Sequence, residues 1–162
     1  MVVMTVEDCV GGRSPGRVLR RINKLMMAQV EARYADADFG FTPWLALKLL
    51  HDGIVTNAGE LARELDMTTG ATTRLIDGLE ALSLLVRDRG SADRRVVRLK
   101  LTEAGTVRYL DRISILVSAW NEILVDFDRD EVDQMVQLLT RLMRSFERHA
   151  LPQPTLPPGQ AE

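Results

Sequence analysis

The sequence predicts a mainly α-helical fold that carries one small β-hairpin. Three observations lead there. Apolar residues recur at three- and four-residue spacing in several separate stretches of the 162-residue chain. Cap-and-proline or capping-box signals open those stretches. A single segment, "RVVRLKL" (95–101), instead alternates with period two: Val97, Leu99 and Leu101 share one face, Arg98 and Lys100 the other.

The elements follow in chain order. Residues 1–13 hold no sustained period and read as a flexible arm. Ser14-Pro15 caps and opens a helix over 15–34, with Val18, Leu19, Ile22, Leu25, Met26 and Val30 on its apolar stripe. "ADADFG" breaks it. Thr42-Pro43 repeats the same opening, and "WLALKLL" is a short buried helix stopped near Gly53. Thr56 or Asn57 caps a third helix through "GELAREL", and "DMT" is a tight turn. Thr68 caps a fourth helix to about Leu82, with Leu75, Ile76 and Leu79 facing inward. A strand at about 84–88, a loop and the strand at 95–101 complete the hairpin.

Thr102 then opens a long helix with Val107, Leu110, Ile113, Val117, Trp120 and Leu124 on one stripe. Asp128 with Glu131 three residues on is a capping box for the last helix, whose stripe runs from Val132 through Met135, Val136, Leu139, Leu142 and Met143 to Phe146. The tail from 149 to 162 is proline-rich and is expected to be disordered. One domain over 14–148 is expected, with its central unit at about 42–101. The stripes on 15–34 and 103–148 are too long for that small unit to cover, which predicts a two-fold homodimer.

Composition narrows the function. No run of about 18 apolar residues exists to span a membrane, and the acidic start "MVVMTVEDCV" lacks the basic region of a signal peptide. A cytoplasmic protein is the simplest reading. Cys9 stands alone and His51 and His149 share no ligand spacing, so no metal site is expected, and no cofactor. Glu7 and Asp8 beside Cys9 oppose thiolate formation, which argues against a redox sensor. A nucleophile with a paired histidine and a glycine-rich phosphate loop are both missing, so the chain is not read as an enzyme.

The third and fourth helices, joined by a short turn, have the form of a helix-turn-helix. The second helix of such a pair enters the DNA major groove with its N-terminal residues. Here those are Thr68, Thr69, Gly70, Ala71, Thr72, Thr73 and Arg74. Arginine reads guanine with two hydrogen bonds, and threonine contacts phosphates, bases or a thymine methyl. The hairpin that follows is a wing. Its tip holds Arg94 and Arg95, suited to the negative potential of a narrow minor groove, and Asp93 is placed to orient them.

"NAGELARELDMTTGATTRLIDGLEALSLLVRDRGSADRRVVRLKLTEAG" (57–105) resembles the winged helix of MarR-type transcriptional regulators, the multiple antibiotic resistance regulator family. "DRRVVRLKLTEAG" and "TRLIDGLEALSLLVR" carry the likeness most specifically, and it extends loosely over about 15–148. The resemblance implies long N- and C-terminal dimerisation helices around the winged helix-turn-helix. It implies two wings flanking a palindromic operator on double-stranded DNA, and control of transcription by repression. The family's wing arginine falls on Arg95, its helix acid that holds wing arginines on Asp77, and the basic residue of its first wing strand on Arg87, which the resemblance makes a further DNA-binding residue. It also implies a crevice for a small aromatic or phenolic effector, for which Met26, Tyr34, Trp44 and His51 are the candidates, with Phe39 and Phe41 near them. Three positions depart from the family pattern. Asp66 and Ser83 replace common glycines, and Gly78 lies within a helix. The competing reading is a winged-helix protein-interaction module without sequence-specific DNA binding, which would need no arginines at the wing tip.

Overall fold

The computed structural model describes residues 4–10, 14–34, 39–88 and 97–149. In order these form α1 (Val6–Cys9), α2 (Pro15–Tyr34), α3 (Phe41–His51), α4 (Ala58–Glu64), α5 (Thr69–Ala81), β1 (Leu85–Asp88), β2 (Arg98–Leu101), α6 (Glu103–Ile123) and α7 (Arg129–Arg148). The chain divides into two compact units, Met1–Ala119 and Trp120–Glu162, with α6 running across the boundary. Among the described residues no helix is long and apolar enough to cross a membrane. The proline-rich tail expected at 149–162 lies outside the described residues beyond His149.

Helix starts follow local capping chemistry, with one correction. Asn57 is the N-cap of α4, its side chain accepting from the Glu60 amide at 3.0 Å, while Glu60 Oε2 accepts from Thr56 N and Oγ1. Thr68 caps α5 and Asp128 with Glu131 forms the capping box of α7. Helix α3, expected to start from Thr42-Pro43, is capped one turn-step earlier by Gly40, leaving Thr42 and Pro43 as its second and third residues. The first-turn amides of a helix have no intrahelical acceptor, so proline is tolerated there as well. Phe41 draws the start back: its ring lies 5.4 Å from Tyr34 and 5.8 Å from Trp44.

Helices α3, α4 and α5 end alike. In each, the residue after the C-cap has positive φ: Gly53 at 69°, Asp66 at 50° and Ser83 at 59°. The amide of the next residue returns to the carbonyl five positions back, Ile54 to Leu49, Met67 to Ala62 and Leu84 to Leu79. These are Schellman motifs. The two places where aspartate and serine replace glycine are therefore the places where the backbone is left-handed. The motif's paired hydrogen bonds hold it there despite the steric cost of about 1 kcal/mol.

The first unit has one core. Trp44, Leu47, Leu61, Ile76, Leu79 and Leu85 are buried from α3, α4, α5 and β1, joined by Val55, Leu99 and Tyr109. The hairpin is antiparallel with Leu85 opposite Leu101 and Arg87 opposite Leu99. It is pinned to the segment before α4, where the Leu99 amide donates to Thr56 O at 2.8 Å. At the far end, Thr102 N donates to Leu84 O at 3.1 Å and Thr102 Oγ1 donates to Ser83 O at 2.7 Å. Thr102 Oγ1 also accepts from Gly105 N at 2.9 Å, which seats the start of α6.

The stripe read on α6 is largely exposed within the first unit, which does not cover it. Val107, Leu110 and Val117 are exposed, while Gly105, Tyr109 and Ala119 are buried. A long helix has two apolar faces here, and periodicity alone does not say which one the unit's own core takes.

A Cβ on Gly105 would lie 1.9 Å from Leu84 O and 2.9 Å from Leu84 C, both backbone atoms that cannot swing aside. Gly105→Ala is therefore expected to destabilise the fold by about 2 kcal/mol or more. Ser83→Gly, which relieves a left-handed serine, is expected to stabilise it by up to about 1 kcal/mol. Thermal unfolding of both variants checks the pair of opposite signs.

Candidate nucleic-acid interface

Helix α5 follows α4 across a turn at Leu65–Thr68, which gives the helix pair, and β1 begins within a few residues of its end. The N-terminal turn of α5 sorts its residues by facing. Thr68, Thr69, Gly70, Thr73 and Arg74 are exposed on the outer side, and Ala71 is half-buried. Thr68 Oγ1 accepts from Ala71 N at 3.3 Å, and Thr73 Oγ1 donates to Thr69 O at 2.9 Å. Arg74 has a shallow cavity of about 250 Å3 beside it, shared with Pro43, Leu75 and Gly78.

Thr72 departs from the reading that grouped it with the outward threonines. It is 1% exposed, and its Oγ1 donates to Thr68 O at 3.0 Å. Ile76 follows it by four residues and Leu79 by seven, so Thr72 begins the inward stripe. Its hydroxyl is satisfied inside the helix, and its methyl packs in the core.

Arg87, expected among the DNA-binding residues, is engaged within the fold instead. Pairing with Leu99 places it on the inward face of the hairpin, the face of Leu85, with Val86 and Lys100 opposite each other on the outer face. From there it reaches α5. Its Nη2 donates to Asp77 Oδ1 at 2.5 Å and its Nη1 donates to Glu80 Oε2. The hydrogen bond it donates to Asp77, aided by both carboxylate charges against a small burial penalty, raises the guanidinium pKa further. Arg87 is thus a charged strut between the recognition helix and the base of the wing. Asp77, expected to hold wing arginines, holds this one. Glu80 was missed. The spacing Asp77-x-x-Glu80 puts two acids on one helix face, and the period of "LVRD" puts Arg87 with Leu85, so the signal was present.

On the outer face, Lys100 Nζ lies 2.6 Å from Asp88 Oδ2, and Arg98 is exposed. The tip residues Asp93, Arg94 and Arg95 lie outside the described residues.

The candidate effector residues do not share a cavity. Trp44 is fully buried; its indole N–H donates to Tyr109 O at 3.2 Å, and its ring stacks 5.9 Å from Tyr109. Tyr34 is buried and its hydroxyl donates to Arg112 O at 3.3 Å; burial pushes its pKa up, against the nearby Arg112 charge. Met26 packs against the core. His51 is exposed, with Nδ1 3.1 Å from Asp52 Oδ1, and Lys48 holds that carboxylate below its ordinary pKa. Of the four, Tyr34 borders a cavity of about 330 Å3, with Met27, Glu31, Phe41 and Pro43.

A helix-turn-helix whose second helix leads directly into an antiparallel hairpin defines a winged-helix protein. Residues 42–97, which span the helix-turn-helix and the first strand of the hairpin, match the MarR family. The HTH-type transcriptional regulator MgrA of Staphylococcus aureus is 26% identical over 130 residues, spanning 79% of this chain and 84% of that one. The structure of the transcriptional regulator PA3341 superposes with a TM-score of 0.71 at 27% identity, covering 82% of this chain and 98% of that one. Bordetella bronchiseptica BpsR, whose DNA binding is regulated by 6-hydroxynicotinic acid, shares the fold at a TM-score of 0.64 and 20% identity, over 79% and 97% of the two chains.

Because Arg87 already holds two carboxylates, Arg87→Ala is expected to lower stability by about 1 kcal/mol. Any loss of DNA affinity should leave the salt dependence of binding unchanged. A salt slope flatter by about one unit would show instead that Arg87 reaches a phosphate.

Proposed function

We propose that the protein is a homodimeric, DNA-binding transcriptional repressor that reads a palindromic operator in the cytoplasm, as a binding protein rather than an enzyme. The outward face of α5 carries this reading: its capped N-terminal turn presents Thr69, Gly70, Thr73 and Arg74 together, and all four are exposed. Arg74 is the base-reading residue, since its reach from the first turns suits a guanine edge. Thr68, Thr69 and Thr73 position the helix on phosphates, helped by the free amides of the helix start. Arg94 and Arg95 enter the minor groove beside each half-site, with Asp93 orienting them.

Dimerisation is supported by apolar faces that the single chain leaves outward. Val18, Ile22 and Leu25 are exposed on α2, and Val136, Leu139, Met143 and Phe146 on α7. Apolar surface of that extent is buried by a second copy in a symmetric pair. Repression then follows from occupying the operator. A small aromatic or phenolic effector fits the cavity beside Tyr34 and Phe41, where ring stacking and the Glu31 carboxylate are available to a hydroxylated ring.

Arg95→Ala is expected to weaken operator binding by about 1–3 kcal/mol with unfolding temperature unchanged. Arg94→Ala should cost less and flatten the salt slope by about one unit. Titration of labelled operator, chosen by selection from a random duplex pool, checks both. Selection that enriches no sequence would favour the protein-interaction module instead.

A further inference from the structure

The chain's net charge of −2 conceals two opposed blocks outside the winged unit. Between residues 14 and 30 there is no acidic side chain, and Arg17, Arg20, Arg21 and Lys24 fall at i, i+3, i+4 and i+7. That spacing puts all four on one side of α2. They are exposed, and together they line an open groove of about 580 Å3. Beside this basic face runs the exposed apolar stripe of Val18, Ile22 and Leu25. Between residues 126 and 133, Asp126, Asp128, Asp130, Glu131 and Asp133 stand against one arginine, Arg129, and all five acids are exposed. From this corner starts α7, with its own exposed apolar stripe from Val136 to Phe146.

We propose that the basic face of α2 in one protomer docks on the acidic corner at 126–133 of a second copy, twice by symmetry. Resting on the homodimer reading above, this adds what sets the register and salt sensitivity of that dimer. Each block is too strongly of one sign to meet its own kind without repulsion, and the two are opposite in sign and similar in magnitude, four cations against five acids offset by Arg129. Each also flanks an apolar stripe, the arrangement by which charges beside a helical seam choose partner and orientation. A duplex DNA occupant would meet the basic face equally well in sign, but it leaves the acidic corner without a counterpart and has no use for the apolar stripe.

The arrangement predicts a charge-swap. In one full-length variant, Arg20→Glu, Arg21→Glu and Lys24→Glu reverse the basic face. In a second, Asp126→Lys, Asp130→Lys and Asp133→Lys reverse the corner, sparing the Asp128–Glu131 capping box. Circular dichroism melting confirms that each folds. Each alone should dimerise about tenfold or more weakly than the parent chain, and the parent dimer should itself weaken as salt rises. Mixed, the two should form heterodimers well above the statistical share by native mass spectrometry, because both contacts are then restored. Two variants that stay weak when mixed would overturn the proposal, showing the blocks to pair within a chain. Dimers as tight as the parent's would overturn it too while leaving the apolar dimer intact. A loss confined to DNA affinity would assign the basic face to nucleic acid. A parent chain that is monomeric at micromolar concentration would remove the homodimer reading itself.

Discussion

The arrangement of the winged unit depends on one peptide carbonyl, that of Leu84. The Leu84 amide closes the Schellman motif that ends α5, and the same residue leads into β1. Its carbonyl accepts from Thr102 N, and Gly105 brings the backbone of α6 against it at a separation no side chain would permit. Three elements thus meet on a single residue: the recognition helix, the root of the wing and the first turn of the long helix. Any change in their mutual angle has to pass through this junction. The left-handed Ser83 just before it is the bend that lets α5 stop and β1 leave in a new direction.

A second constraint holds the other side of α6. Trp44, Tyr34 and Phe41 form an aromatic cluster between α2 and α3 whose polar groups are all spent on α6. The indole N–H goes to Tyr109 O and the phenol to Arg112 O, while Arg112 returns a hydrogen bond to Phe39 O at 3.1 Å. Buried tyrosine and tryptophan need such partners. Their satisfaction here explains why Trp44 belongs to the framework rather than to a ligand crevice. Arg87 in turn braces the base of the hairpin against α5 through Asp77 and Glu80.

Charge is used differently in each region of the chain. At the wing base, cations are neutralised in pairs, Arg87 by Asp77 and Glu80 and Lys100 by Asp88. On the outer turn of α5, Arg74 is exposed beside Thr73, with Asp77 three residues on engaged by Arg87. Along α2 and at 126–133 the two signs are segregated. Local pairing builds the scaffold, and segregation leaves fields that act on other molecules.

The sequence by itself determined the elements and their caps. Asn57, Thr68 and Asp128 cap because a side-chain oxygen three residues before a free amide is a local matter, independent of the rest of the fold. Period two identified the hairpin, and the segment "TRLIDGLEALSLLVR" carried the resemblance to MarR-type winged helices. Tertiary structure alone decided which of several compatible faces each element uses. Thr72 and Thr73 are neighbours of the same type, and only packing against the core turned the first inward and left the second outward. Arg87 read as a cation on a strand, and only the pairing register with Leu99 turned it toward two acids on α5. Gly40 displaced Thr42 as the cap of α3 because Phe41 found rings to pack on, and the stripe of α6 faced outward because Gly105 and Tyr109 took the core. Periodicity fixes the angle between residues on one element, but the rotation of that element toward its neighbours is a property of contacts distant in sequence.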